Sequence, residues 1–131
     1  MTIQIKLTSI MVEDQARALE FYTKVLGFKK KQDFPVGEYR WITVVAAEGR
    51  EDLELSLEPN VNPAAKTFQK ALFDQGIAAT AFEVSDLEAE HARLKAAGVA
   101  FTQPPTKLAQ VSIAVFSDTV GNLIQLYQPP R

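Results

Sequence analysis

Apolar and polar positions alternate along residues 3–12, several of them β-branched, and this period of two predicts a strand. The period then changes. Asp14 is a suitable helix N-cap, and Ala18, Leu19, Tyr22, Val25 and Leu26 recur at helical spacing, giving one buried face. Gly27 suits the left-handed position that closes such a helix. Residues 28–34 and 39–46 read as strands joined by turn chemistry at Pro35-Val36-Gly37. After a turn at Glu48-Gly49-Arg50, Leu53, Leu55 and Leu57 alternate with Glu54, Ser56 and Glu58, a half-buried strand. The first half is therefore strand, helix, three strands.

A connector starts at Pro59. Asn62 and Pro63 open a helix over 64–74 that Gly76 closes. Then the order repeats. Residues 78–84 predict a strand, and Ser85-Asp86-Leu87-Glu88 has the form of a capping box. Leu87, Leu94 and Ala97 line one helical face. Residues 99–102 begin a strand that Pro104-Pro105 is expected to break. Strands follow over 111–116 and 123–128, joined by a turn at 118–122. Asp14 to Asp86 is a step of 72 and Gly27 to Gly98 a step of 71. The fold class is α+β: two tandem βαβββ modules, about 1–58 and 78–131, joined by a helical connector over about 59–77. Units that each leave a sheet half-finished should pair into one curved mixed sheet around a central cup, with helices outside.

Composition narrows the function classes. The chain has 131 residues, 47% hydrophobic and 23% charged, with a net charge of -2 and no basic run, so nucleic acid is not an expected partner. It contains no cysteine, which excludes disulfides, thiolate metal sites and cysteine nucleophiles. No apolar run reaches membrane-spanning length and the first residues read as a strand rather than a leader, so no membrane partner and a cytoplasmic location are expected.

Two stretches carry a resemblance. Val12-Glu13-Asp14-Gln15-Ala16-Arg17-Ala18-Leu19-Glu20-Phe21-Tyr22-Thr23-Lys24-Val25-Leu26-Gly27-Phe28 is similar to the first helix and following strand of the vicinal oxygen chelate superfamily, which includes glyoxalase I, bleomycin-resistance proteins and extradiol dioxygenases. Phe116-Ser117-Asp118-Thr119-Val120-Gly121-Asn122-Leu123-Ile124-Gln125-Leu126 is similar to its closing turn and strand, usually Asp-Pro-Asp-Gly-Asn with a following Glu. The resemblance spans nearly the whole chain. It implies paired modules, a homodimer, and a cup where metal-using members hold a divalent ion with His or Gln on the first strand and Glu on the last strand of each module.

The positions that match those ligands hold Leu7, Glu54, Ala79 and Gln125. Leu7 and Ala79 cannot coordinate, whereas a zinc-like ion needs three or four N, O or S ligands. No cofactor is therefore expected, and no metal unless Glu83 or Ser9 supplies a ligand from elsewhere. Glu54 and Gln125, 71 apart, match the repeat; each reads either as a ligand contact or as a solvated strand residue. Alternation adds Ser9, Glu83 and Tyr127 as ligand-contact candidates, with Met11 and Ala81 on the same faces. Arg40 and Trp41 are adjacent on one strand, so only one of them points inward. Trp41 would be either an aromatic platform or core or dimer-interface packing. His91, the only histidine, sits at the edge of a helix's buried face and reads as packing. Lys29-Lys30-Lys31 reads as an exposed strand edge.

Three functions follow. One is a metal-independent protein that binds, and in the manner of the bleomycin-resistance branch sequesters, a small molecule. Another is a lyase, isomerase or dioxygenase of the superfamily that uses a non-standard metal site or acid–base chemistry at Glu54 and Glu83. A third is an interaction role with the cup filled by side chains such as Leu7, Met11, Ala79 and Ala81.

Overall fold

The computed structural model describes residues 2–130. In chain order the elements are β1 (Leu7–Val12), α1 (Gln15–Glu20) continuing through a π-helical turn (Phe21–Val25), β2 (Lys29–Val36), β3 (Tyr39–Val45), β4 (Glu54–Pro59), α2 (Pro63–Asp74), β5 (Thr80–Glu83), α3 (Leu87–Ala96), β6 (Phe101–Leu108), β7 (Val111–Ser117) and β8 (Leu123–Gln128). They form two four-stranded mixed sheets, ordered β1-β4-β3-β2 and β5-β8-β7-β6. In each, the first strand runs parallel to the last and the other neighbours are antiparallel. These are two βαβββ modules of the vicinal oxygen chelate fold. The chain divides into two compact units, the first ending at Ala65 and the second starting at Lys66.

The first unit follows from its pattern. The Asp14 carboxylate accepts from the Arg17 N–H at 3.0 Å and starts α1. Ala18, Phe21 and Tyr22 are then buried with Ile42, Val44, Leu55 and Leu57. The helix stops at Gly27, whose φ of 91° is left-handed; Gly98 holds the same 91° after α3. A Cβ would meet nothing within 4 Å at either place, so backbone conformation and not space requires glycine there. Gln15 ties the helix to the sheet. Its amide donates to the carbonyls of Arg40 (2.6 Å) and Leu57 (2.9 Å) and accepts from the Arg40 N–H (3.1 Å). The β3–β4 ladder covers Thr43↔Ser56 and Val44↔Leu55, and Gln15 bridges the two strands beyond it.

The second unit buries Leu87, Leu94, Val99, Ala114, Phe116, Ile124 and Leu126. Its closing turn is built on Asp118, a fully buried carboxylate. Asp118 accepts from the N–H groups of Val120 (2.9 Å) and Asn122 (3.0 Å) and from the Asn122 amide (2.8 Å), while its own N–H donates to the Asn122 carbonyl. Asn122 in turn accepts from Gln69 of α2 at 3.2 Å. Thr119 holds φ at 67°, which a proline cannot adopt. The departure from Asp-Pro-Asp-Gly-Asn at this residue thus belongs to the turn that forms here.

Several local expectations change. The hairpin turn is Gly37-Glu38 alone, because Pro35 and Val36 pair with Arg40 and Tyr39 inside β2. Leu53 lies before β4 and is 42% exposed rather than facing the helix. The cap of α3 is Asp86, which accepts from the Ala89 N–H at 3.1 Å, rather than Ser85. Pro104 and Pro105 do not end β6. The strand runs through them with shifts of register, as an edge strand can, since one side of it needs no ladder donors. Residues 2–6 continue the alternation of β1 without joining a ladder; Ile3 and Ile5 are exposed.

Candidate functional site

Alternation sorts the side chains of β4. Leu55 and Leu57 are buried in the core, so Glu54, Ser56 and Glu58 occupy the other face. Register extends this face across the sheet. Leu7, Ser9 and Met11 lie opposite Glu54, Ser56 and Glu58. Thr43 lies opposite Ser56, Gln32 opposite Thr43, and Phe34 opposite Trp41. The face therefore carries Trp41, Phe34, Tyr39, Leu7 and Met11 around a polar centre of Gln32, Thr43, Glu54, Ser56 and Ser9. Phe34 is 48% exposed and Leu7 47%, so the margin of the face is open, while Trp41 is half-buried and Thr43 and Ser56 at its centre are buried.

Glu54 is held in place. Its Oε1 accepts from Gln32 Nε2 at 2.6 Å and from Thr43 Oγ1 at 2.6 Å. Lys31 Nζ stands 4.0 Å from Oε2. The Thr43 and Gln32 donors, helped by the Lys31 charge and opposed by burial, hold the carboxyl below its usual range. Glu54 is thus an oriented anion at neutral pH, with Oε2 turned away from its two hydrogen-bond donors. Two residues on, Ser56 is buried at 1% exposure and its hydroxyl has no hydrogen-bond partner among the described residues.

Arg40 points the other way. It lies opposite Pro35 on the register line next to Trp41's, and its Nε and Nη2 fork Asp33 at 3.1 and 2.6 Å. Each partner favours the other's charged form: the Asp33 carboxyl is lowered chiefly by the Arg40 hydrogen bond and the Arg40 guanidinium raised by Asp33. Of the adjacent pair, Trp41 shares Glu54's face. Arg40 as a ligand contact on that face is corrected by strand alternation. Lys29, Lys30 and Lys31 are exposed on the edge strand β2, and they also pair with Glu51, Asp33 and Glu54.

In the second unit, Ala81 lies opposite Gln125 and Glu83 opposite Tyr127; Val115 and Ile113 flank them on β7. Gln125 and Tyr127 are half-buried and Glu83 is exposed. Ala79 precedes β5 and donates its N–H to the Leu123 carbonyl at 2.8 Å. His91 packs edge-on against Phe101, with ring centres 4.5 Å apart.

Register corrects the equivalence of Glu54 and Gln125. Ser56 lies between Ser9 and Thr43, and Gln125 between Ala81 and Val115. Ser9 to Ala81 and Thr43 to Val115 are both steps of 72. In the lattice of the sheet, Gln125 is thus the counterpart of Ser56. The 71-residue step misled because the loop before β4 (46–53) is three residues longer than the turn before β8 (118–122). Sequence reasoning missed Gln32, Thr43 and Ser56. The signal for Ser56 and Thr43 was available in their spacing of two from Glu54 and Trp41.

Residues 4–126 match the profile of the Glyoxalase/Bleomycin resistance protein/Dioxygenase superfamily. The chain belongs to this superfamily. It is 55% identical over 126 residues to YurT of Bacillus subtilis (strain 168), covering 96% of this chain and 99% of that one. Among solved structures it is similar to UcmS2, with a TM-score of 0.83 and 32% identity over 97% of this chain and 98% of that one. It is also similar to TnmS3, an antibiotic binding protein from Streptomyces sp. CB03234, with a TM-score of 0.74 and 28% identity over 98% and 97% of the two chains.

The superfamily's metal can be tested against these donors. Glu54 has Leu7 opposite it and two hydrogen bonds already on one oxygen; Gln125 has Ala81 and Val115 beside it. Among the described residues no three His, Cys, Asp or Glu side chains come together. Glu54 and Glu58, four residues apart on one strand and without a third such side chain, do not fit a zinc-like ion. Among the described residues no helix is long and apolar enough to cross a membrane.

Proposed function

We propose that this protein is a metal-independent, small-molecule-binding member of the superfamily that sequesters its ligand in the cytoplasm as a homodimer. The observation that carries this reading is the state of Glu54. A metal site needs three or four N, O or S ligands, and no group of three His, Cys, Asp or Glu forms among the described residues. Here Oε1 is committed to Gln32 and Thr43, and a leucine faces it across the ladder. What remains is a fixed acceptor on the same face as Trp41, with exposed apolar residues around a polar centre, the arrangement that orients a flat molecule carrying a polar group. The description of the similar TnmS3 as an antibiotic binding protein supports ligand binding as the role.

Three measurements test it. Elemental analysis of the purified protein, with equilibrium dialysis against zinc, nickel and iron(II), should give well under one ion per chain; stoichiometric, saturable binding overturns the metal-independent reading. Glu54→Gln should weaken ligand binding by about tenfold while leaving the fold intact, the size of one hydrogen bond to a charged acceptor. Light scattering in solution should give twice the chain mass.

A further inference from the structure

We infer that Ser56 is the second polar anchor of the ligand, and that Glu54 and Ser56 together select a group that both donates and accepts a hydrogen bond, such as a hydroxyl on an aromatic ring. This rests on the binding reading above and specifies what is bound. A buried hydroxyl without a partner is unusual, because leaving a donor and acceptor unmade forfeits the desolvation of both. Ser56 could have bonded to Ser9 or Thr43, which flank it in the register. Thr43 instead donates to Glu54, and Ser56 is left without a partner among the described residues.

Three features make this a site rather than a packing accident. Ser56 and Glu54 are two apart on one strand, so their side chains stand side by side on the same face. Glu54 Oε1 is occupied by its two donors, which leaves Oε2 to accept from a ligand. The repeat also places a polar side chain at this lattice point in both units: Gln125 occupies Ser56's position in the second sheet. The chemistry then follows from the inventory of groups. Glu54, ionised, only accepts; Ser56 has one O–H to donate. A ligand hydroxyl satisfies both at once by donating to Oε2 and accepting from Ser56. An ammonium can donate to both groups but leaves the Ser56 O–H without an acceptor, and a ligand carboxylate is repelled by Glu54. The aromatic body is set by Trp41, with Phe34 and Tyr39 beside it on the face.

The test uses matched probes on the intact protein, 2-naphthol against 2-methylnaphthalene, which differ by hydroxyl for methyl. Binding is read from the fluorescence of Trp41, the one tryptophan, and from amide shifts of β4. The wild type should bind 2-naphthol about tenfold more tightly than 2-methylnaphthalene, Ser56→Ala should lose most of that difference, and its affinity for 2-methylnaphthalene should be unchanged. Ser56→Ala should also leave the Tm of the free protein unchanged or raised, since an unpaired buried hydroxyl is removed. Equal loss for both probes, no loss for either, or a Tm lowered by more than about 3 °C in Ser56→Ala overturns the anchor while ligand binding itself stands. Failure of both probes to saturate the wild type at millimolar concentration overturns the anchor together with the aromatic-ligand reading of this face.

Discussion

Thr43→Val probes the polar centre at its most buried point. Thr43 is fully buried, and its hydroxyl is 2.6 Å from Glu54 Oε1. Valine keeps the shape and removes the donor, leaving the carboxylate with Gln32 and the distant Lys31. A hydrogen bond to a charged group contributes about 1.5–3 kcal/mol, and the partial exposure of Glu54 favours the lower end. With a urea m-value of about 1.5 kcal/mol/M, the midpoint should fall by roughly 1 M at pH 7 with the slope unchanged. The loss should depend on pH. The folded pKa of Glu54 lies below its unfolded value, so its stabilisation is complete above the ordinary carboxyl range and is lost as pH falls through the folded value. A hydrogen bond to an ionised group is roughly twice as strong as a neutral one, so the Thr43→Val penalty should fall towards half as pH drops through the folded value. Urea titrations of both proteins at a series of pH values from 7 downward, followed by Trp41 fluorescence, measure it. A penalty that does not shrink when the wild type loses the Glu54 contribution, or one below about 0.5 kcal/mol at pH 7, refutes the assignment of an ionised, Thr43-bonded Glu54.

Thr119→Pro, which restores the residue usual in the family's turn, should destabilise by about 2 kcal/mol or more, because φ of 67° is closed to proline; Thr119→Gly should stabilise by about 1 kcal/mol, both read by thermal unfolding. Gln15→Ala leaves two strand carbonyls and one N–H without their bridge and should cost about 2 kcal/mol in chemical denaturation. Asp118→Ala removes the acceptor of three donors from a buried turn and should cost about 3 kcal/mol or more, with faster hydrogen exchange at Val120 and Asn122. Arg40→Met should change ligand affinity less than twofold, because Arg40 lies on the face away from Glu54; a tenfold effect would place the ligand elsewhere.

The scaffold was legible because it is written in short-range rules. Asp14 caps, Gly27 and Gly98 close, and Leu55, Leu57, Ile124 and Leu126 mark buried faces by alternation alone. Elements failed where a tertiary neighbour decided the outcome. Pro104 and Pro105 signal a break, but their strand lies at an edge, which becomes visible only once the sheet is assembled. The choice between Arg40 and Trp41 needed the β3–β4 register, and that depends on the length of the 46–53 loop rather than on any residue within the strands.

The same loop accounts for the one misreading that matters for function. A repeat step measured on helix caps carries over to β1, β5, β3 and β7, which follow the caps' spacing. It fails for β4 and β8, because three residues were gained or lost just before them. Aligning on the caps pairs Glu54 with Gln125 and makes the two halves look like a metal site with two ligands missing. Aligning on the hydrogen-bonded lattice pairs Ser56 with Gln125 instead. Glu54 then has no polar counterpart, and around it Gln32 and Thr43 donate to the carboxylate while the Lys31 ammonium stands 4.0 Å away. The Thr43 and Gln32 hydrogen bonds already favour its charged form. The two units therefore differ at this lattice point: the first sheet holds a carboxylate with its own hydrogen-bond donors, and the second holds Leu123, whose carbonyl accepts from Ala79.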